Sequence, residues 1–263
     1  MATLTYRTAG SGPALLLIHG GAEDAAMLEP QALAFAERGR RVAWYDRRGT
    51  GATPRDGWPA GGVRQHAADA AAIVEDLGGQ VQVLGFSSGG VIALELAASW
   101  PALDIEVIAW EPAVITALDG GAELHAQIVA PINEYLAGHP GDWRGAFALQ
   151  LAIISDGQAD LDSPEVAAQM VNAEAAVRDD GPVITRHEFA PGTLPADRIR
   201  LARSAGTSPL HAAVIDGLVA AHGLRVEMVE GAADHEVYLS GPEVLAGHDW
   251  SSSVAVCAPA GPR

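Results

Sequence analysis

Polar and apolar positions alternate at the start of the chain, then give way to solid apolar runs separated by helical stretches. Leu4 and Tyr6 alternate with Thr3, Thr5 and Arg7, the period-two pattern of a half-buried strand, which ends at Gly10-Ser11-Gly12. Ala14 to Ile18 is apolar throughout, as a central strand covered on both faces should be. Leu28, Ala32, Phe35 and Ala36 have helical spacing within Leu28 to Arg38, and Arg41 to Tyr45 predicts another strand. Gly61 to Gly79 predicts a loop and then a helix with Ile73, Val74 and Leu77 on one face. Val81 to Leu84 is the next strand, Val91 to Trp100 a helix stopped by Pro101, and Ile105 to Trp110 a strand. Such alternation implies an α/β fold: a mostly parallel central sheet with helices on both faces.

The pattern changes over residues 115–195, where no strand pattern recurs. Leu124 to Leu136, Trp143 to Ile154 and Pro164 to Val177 read as helices. Alternation resumes with a strand at Arg198 to Ala202, a helix at Pro209 to His222 and a strand at Arg225 to Val229. The expected division is therefore a core of residues 1–114 and 196–263 with an inserted helical cap at 115–195. An insertion of this kind sits over the carboxyl edge of the sheet, where ligands bind. After Pro242 to Ala246 the final helical period breaks at His248 to Ser253, and Ala258 to Arg263 is a Pro/Gly tail.

Composition narrows the partners. The 263 residues carry 33 acidic side chains against 16 basic ones, all arginine, for a net charge of −17. A chain this acidic repels phosphate backbones, so no nucleic-acid partner is expected. No apolar run approaches the roughly 18 residues that span a bilayer, so no membrane partner is expected. Met1 to Gly12 has no basic stretch followed by an apolar one, and the expected location is cytoplasmic. The single Cys257 excludes an intrachain disulfide and a multi-cysteine metal site. Phosphate-binding and dinucleotide fingerprints are missing, and Gly49-Thr50-Gly51 lacks the spacing that would make one; neither cofactor nor metal is expected. The oligomeric state is not legible.

Candidate chemistry begins at Gly85-Phe86-Ser87-Ser88-Gly89, between a predicted strand and a predicted helix. A nucleophile there sits on a tight, strained turn with its hydroxyl turned outward, and small flanking residues let the turn close. The helix start offers unpaired N–H groups to a developing oxyanion. Ser88 fits the central position less well, because Phe86 would then replace the leading glycine. His19-Gly20-Gly21 follows the strand Ala14 to Ile18, and Gly21 and Ser88 are the expected oxyanion donors. His19 itself reads as a residue that fixes its loop.

These motifs, with Asp46-Arg47-Arg48-Gly49-Thr50-Gly51 and a late Asp234-His235, stand in an order and spacing that resembles the α/β-hydrolase family over about residues 3 to 247. The resemblance implies an eight-stranded sheet, here short of its first strand, and His235 as general base. His66, His125, His139, His187, His211 and His222 lie in or beside helical or cap segments and read as surface or packing residues. Asp46 and Arg48 are expected to tie the loop near the oxyanion turn. The family commonly carries its acid after the penultimate strand, yet Arg203-Ser204-Ala205-Gly206-Thr207-Ser208-Pro209-Leu210 holds no carboxylate, and Ser208 stands in the acid's place. Glu111, at the end of Ile105 to Trp110, is the substitute, since some members carry the acid after that strand. Asp234 adjoins the histidine too closely to face it.

The resemblance therefore implies a hydrolase of carboxylic esters or lactones, using Ser87, His235 and Glu111 through an acyl-enzyme. The substrate would be a small apolar ester, lactone or related molecule, with Trp143 and Phe147 lining its site. The alternative is a non-hydrolytic member of the fold: a cyclase, a lyase or a ligand-binding protein of natural-product metabolism.

Overall fold

The computed structural model describes residues 4–155, 157 and 159–250. Its centre is the sheet built from the solid apolar runs. The strands are β1 (Tyr6–Ala9), β2 (Ala14–Ile18), β3 (Arg41–Tyr45), β4 (Val81–Phe86), β5 (Ile105–Trp110), β6 (Ile199–Arg203) and β7 (Arg225–Met228). They form one seven-stranded sheet in the order β1-β3-β2-β4-β5-β6-β7. β1 runs antiparallel to β3, and every other pairing is parallel. Every residue of β2 is buried, as its lack of alternation requires.

The helices are α1 (Ala25–Glu37), α2 (Val63–Leu77), α3 (Ser88–Ser99), α4 (Gly121–Gly138), α5 (Trp143–Ile154), α6 (Pro164–Gln169), α7 (Ala173–Ala175), α8 (Pro209–His222), α9 (Val237–Ser240) and α10 (Pro242–Gly247). The two faces of β2 go to different helices, as the period of two dictates. Leu16 and Ile18 pack with Ile73 of α2, Ile92 of α3 and Ile215 of α8. Leu15 and Leu17 pack with Leu28 and Phe35 of α1 and Leu245 of α10. A third, smaller cluster joins Ile132 of α4 and Phe147 of α5 to Ala176, Val177 and Ala22.

The first strand, Tyr6–Ala9, stops just before Gly10 as expected, with Thr8 and Ala9 opposite Ala43 and Val42. One expectation of the fold is corrected. The helix expected over Pro164 to Val177 is broken: α6 stops at Gln169, a 3₁₀ turn follows at Met170–Asn172, α7 is short, and a π-helix runs over Ala176–Ile184. Pro182 inside that segment has no N–H to give to an α-helical ladder. Asp179 and Asp180 on it are also drawn inward to Arg55 and Arg47. Asp46 and Arg48 both tie their loop: Asp46 accepts from the N–H groups of Ala25 and Ala52, and Arg48 donates to Asp56 O while pairing with Asp69 of α2.

α10 ends at Gly247, close to the predicted break, and the Trp250 indole N–H donates to Leu245 O. The Pro/Gly tail and Cys257 lie outside the described residues. Among the described residues no helix is long and apolar enough to cross a membrane.

Register positions the chemistry. Phe86 of β4 lies opposite Trp110 of β5, and Trp110 lies opposite Ala202 of β6. The three strands therefore release Ser87, Glu111 and the loop after β6 side by side at one carboxyl edge, the usual ligand edge of a parallel sheet.

Candidate active site

Ser87 takes φ 50° and ψ −115°, a backbone state that L-residues avoid and that persists only when its surroundings enforce it. The flanking glycines explain how the turn closes. A Cβ on Gly85 would lie 2.3 Å from Gly89 O, and one on Gly89 would lie 2.3 Å from Ile18 O. The Ser87 N–H donates to Trp110 O, and Ala113 N–H donates back to Ser87 O, which fastens the turn to the end of β5. Ser88 is the first residue of α3, so its N–H is one of the helix's free donors.

Glu111 ends β5 at φ 39° with its side chain fully buried. A buried carboxylate needs partners for its lone pairs. Oε1 accepts from Ser204 N–H at 2.8 Å, Ser204 Oγ at 2.8 Å and Thr207 Oγ1 at 2.7 Å. Oε2 meets His235 Nδ1 at 2.8 Å. The loop after β6, which holds no acid, thus supplies hydroxyls to the acid of the neighbouring strand. Burial pushes the Glu111 carboxyl up, but the His235 hydrogen bond and charge, with Thr207 and Ser204, outweigh it and hold the carboxyl down to about 2. An ionised carboxylate only accepts, so Nδ1 carries the hydrogen and Nε2 of the neutral ring carries the lone pair.

His235 is fixed at its backbone as well, where its carbonyl accepts from the Trp110 indole at 3.0 Å. Burial pushes its pKa down; the Glu111 hydrogen bond and the charges of Glu236, Glu111 and Glu23 outweigh that and raise it above the ordinary value.

His19 is buried, with Nδ1 2.9 Å from Gly20 O and Nε2 accepting from Arg47 N–H at 3.2 Å. Burial and the Arg47 charge hold it well below the usual histidine value, so it fixes its loop as a neutral ring. The Gly20 N–H goes to Glu23 Oε2 and the Ala22 N–H to Asp180 Oδ2. Gly21, between them, lies on the cavity wall.

Ser87, Ser88, Gly21 and His235 line one cavity of about 190 Å³ between the sheet edge and the helical segment. Ile128 and Ile132 of α4 and Phe147, Leu151 and Ile154 of α5 make its apolar side. Of the two expected contact residues, Phe147 is on the wall and Trp143 is not; Trp143 packs among the helices beside Ile132 and Phe147. Trp143 begins α5 on the same face as Phe147 and Leu151, one turn before Phe147.

Several residues of the site escaped sequence reading. His211, taken for a packing residue of α8, stacks on His235 and lines the cavity. His125 also lines it, its Nε2 lying 2.7 Å from Gly181 O. Arg47 is buried, donates to Gly20 O at 2.6 Å and pairs with Asp180 at 2.9 Å, joining the His19-Gly20-Gly21 loop to the π-helix. Glu23 receives the Tyr238 hydroxyl at 2.5 Å, while burial and the Glu236 charge push its carboxyl up to about 8. Only its place beside the His-Gly-Gly motif could have flagged Glu23. Glu111, His211 and His235 also bring metal-type donor atoms within 4.8 Å of one another. Nδ1 of His235 is already spent on Glu111, and two parallel rings aim their in-plane lone pairs side by side, so the group lacks the converging geometry of a metal centre. Ser208 caps α8 and accepts from His211 N–H, away from the role of a triad acid.

Residues 11–145 match the family model described as serine aminopeptidase, S33. The 2-(acetamidomethylene)succinate hydrolase of Mesorhizobium japonicum is 33% identical over 149 residues, 52% of this chain and 52% of that protein. The matches span about half or less of the length of the curated relatives. Among solved structures, a bromoperoxidase from Bacillus anthracis aligns at a TM-score of 0.65 with 20% identity over 92% of each chain. An esterase from Exiguobacterium antarcticum aligns at 0.61 with 19% identity, covering 93% of this chain and 92% of that one. At these identities the structural likeness is one of fold.

Proposed function

The chain belongs to the α/β-hydrolase family whose model it matches, and on that premise we propose that it hydrolyses a carboxylic ester or lactone through an acyl-enzyme on Ser87. The observation that carries this reading is the 2.8 Å contact between the buried, fully hydrogen-bonded Glu111 carboxylate and His235, on the same cavity as a strained Ser87. A carboxylate so engaged serves to hold the histidine tautomer and to stabilise the imidazolium.

The steps follow from the donors. His235 Nε2 takes the Ser87 Oγ proton as Oγ bonds to the substrate carbonyl carbon. The negative oxygen of the tetrahedral intermediate receives hydrogen bonds from the Gly21 and Ser88 N–H groups, with the positive end of α3 behind them. Collapse breaks the carbon–oxygen bond of the ester, and the imidazolium proton passes to the departing alkoxide. Water then repeats the sequence on the acyl-enzyme, giving the carboxylic acid and free Ser87. The helices over residues 115–195 act as the cap, and their apolar side favours an apolar acyl or ring group.

The test is release of alcohol from short chromogenic esters, with fluorophosphonate labelling in parallel. Ser87→Ala should abolish both and leave thermal stability within about 0.5 kcal/mol, as expected for a small side chain on a turn. Labelling at another residue removes Ser87 from the mechanism. Labelling at Ser87 without ester turnover favours the non-hydrolytic alternative.

A further inference from the structure

The hydrogen bond between Glu111 and His235 fixes only one point of the imidazole. The Cβ–Cγ bond and that hydrogen bond hold one side of the ring, and a tilt about the line between them still carries Nε2 away from the serine. The structure supplies a second constraint from the first turn of α8. The His211 ring lies face to face with that of His235, with centroids 4.3 Å apart and planes 12° from parallel. Tyr238 meets the His235 ring edge-on, at 6.4 Å and 83°. His211 is itself anchored twice through Ser208, the N-cap of α8: its N–H donates to Ser208 Oγ at 3.2 Å, and its Nδ1 lies 3.0 Å from the same oxygen. Because that oxygen accepts the backbone N–H, its own hydrogen is available to Nδ1, which leaves the His211 ring hydrogen on Nε2.

We propose that His211 is a positioning residue whose flat, uncharged ring holds the His235 imidazole in the plane shared by Glu111 and the nucleophile. The inference rests on the reading of Ser87 and His235 as the reacting pair. Burial and the neighbouring His235 charge push His211 down to about 3, against the opposing pull of Glu111. It therefore stays neutral while His235 gains and loses its proton, and the pair never becomes two stacked cations. The carboxyl groups that face His235 are Glu111, Glu236 and Glu23. Glu111 stays ionised throughout, while Glu23, pushed up to about 8, gains its charge only as pH rises, so an uncharged face at His211 leaves the pull of Glu111 on the imidazolium intact. Misplacement of a reacting group by about 1 Å can cost about 10²-fold in rate.

Two variants separate positioning from bulk structure. His211→Phe keeps a flat ring without nitrogens, and His211→Ala removes the ring. Turnover of one neutral chromogenic ester is followed across pH, together with the downfield proton NMR line of His235 Nδ1–H and the thermal midpoint. The Phe variant is expected to retain kcat within about threefold. The Ala variant is expected to lose kcat by roughly tenfold or more, in addition to any change in KM from the altered cavity wall. Its acid limb should move to higher pH, because water admitted to the open face relieves the burial that lowers the His235 pKa. The Nδ1–H line should sharpen in Phe as in the parent and broaden in Ala. Parent-like kcat, acid limb and NMR line in the Ala variant overturn the proposal, as do equal losses in Phe and Ala. The NMR line reads the ring's constraint without turnover, so an inactive parent protein would count against the hydrolase reading and leave this one still decided.

Discussion

Glu111 and His235, separated by 124 positions in sequence, meet at 2.8 Å because β5 ends beside the Ser87 turn and the histidine loop is tied back to Trp110. The acid therefore reaches the imidazole from the strand next to Ser87. The loop after β6 contributes Ser204 and Thr207 as its hydrogen-bond donors.

Glu111→Gln is expected to preserve the shape of the site and remove the charge behind the imidazolium. The loss in kcat/KM should be roughly 10²-fold or more, compared with about 10⁴-fold in the serine-protease example of the same change. Ser208→Ala should cost far less, since that hydroxyl caps a helix. A larger loss in Ser208→Ala than in Glu111→Gln, measured on one ester, would put the acid elsewhere.

The pH profile carries a sign. His235 acts as a base only when neutral, and its neighbours raise its pKa, so activity should rise along a limb centred above 6.5. Glu111→Gln removes the hydrogen bond and charge that raise it, and the limb should move to lower pH. A limb that stays fixed in this variant would remove Glu111 from contact with the titrating group.

Acid stability should follow the same carboxyl. The folded value of Glu111 is about 2 against an ordinary 4.5, so the stability it contributes is fully present above about 4.5 and is lost as pH falls towards 2. The contribution is on the order of 3 kcal/mol. Urea unfolding of the parent and Glu111→Gln across this window should show the parent losing its advantage as acid is added. Parallel curves would deny the linkage.

Phe147→Ala should alter the preference among acyl chain lengths by about 1 to 3 kcal/mol per methylene accommodated, because Phe147 forms part of the cavity wall. Trp143→Ala should leave that preference unchanged and lower stability through lost packing. Competition between two esters of different chain length reads the difference. An equal shift in both variants would contradict the division.

Arg47→Leu should destabilise the fold by roughly 3 to 5 kcal/mol, because Asp180 would remain buried without its partner. It should also raise KM, since Asp180 lies on the cavity wall. A denaturation change below about 1 kcal/mol would mean that Asp180 finds another partner.

The sequence by itself determined the strands and the tight strand-to-helix turn at Ser87. These are local: a solid apolar run between turn residues has one comfortable place in a parallel sheet, and glycines at 85 and 89 leave the strained serine between them. That Glu111 ends a strand beside the Ser87 turn was legible through the family resemblance, which allows an acid there, and its contact with His235 fits that expectation. Tertiary structure alone decided the other partners. Ser204, Thr207, His211 and Arg47 carry no signature of their role, because each acquires it from register and helix placement across large sequence separations. The helix expected over Pro164 to Val177 differs from the structure for the opposite reason. Its apolar spacing favoured one helix, but the buried ion pairs of Asp179 and Asp180, with Pro182, fix a π-helical turn that local pattern does not encode.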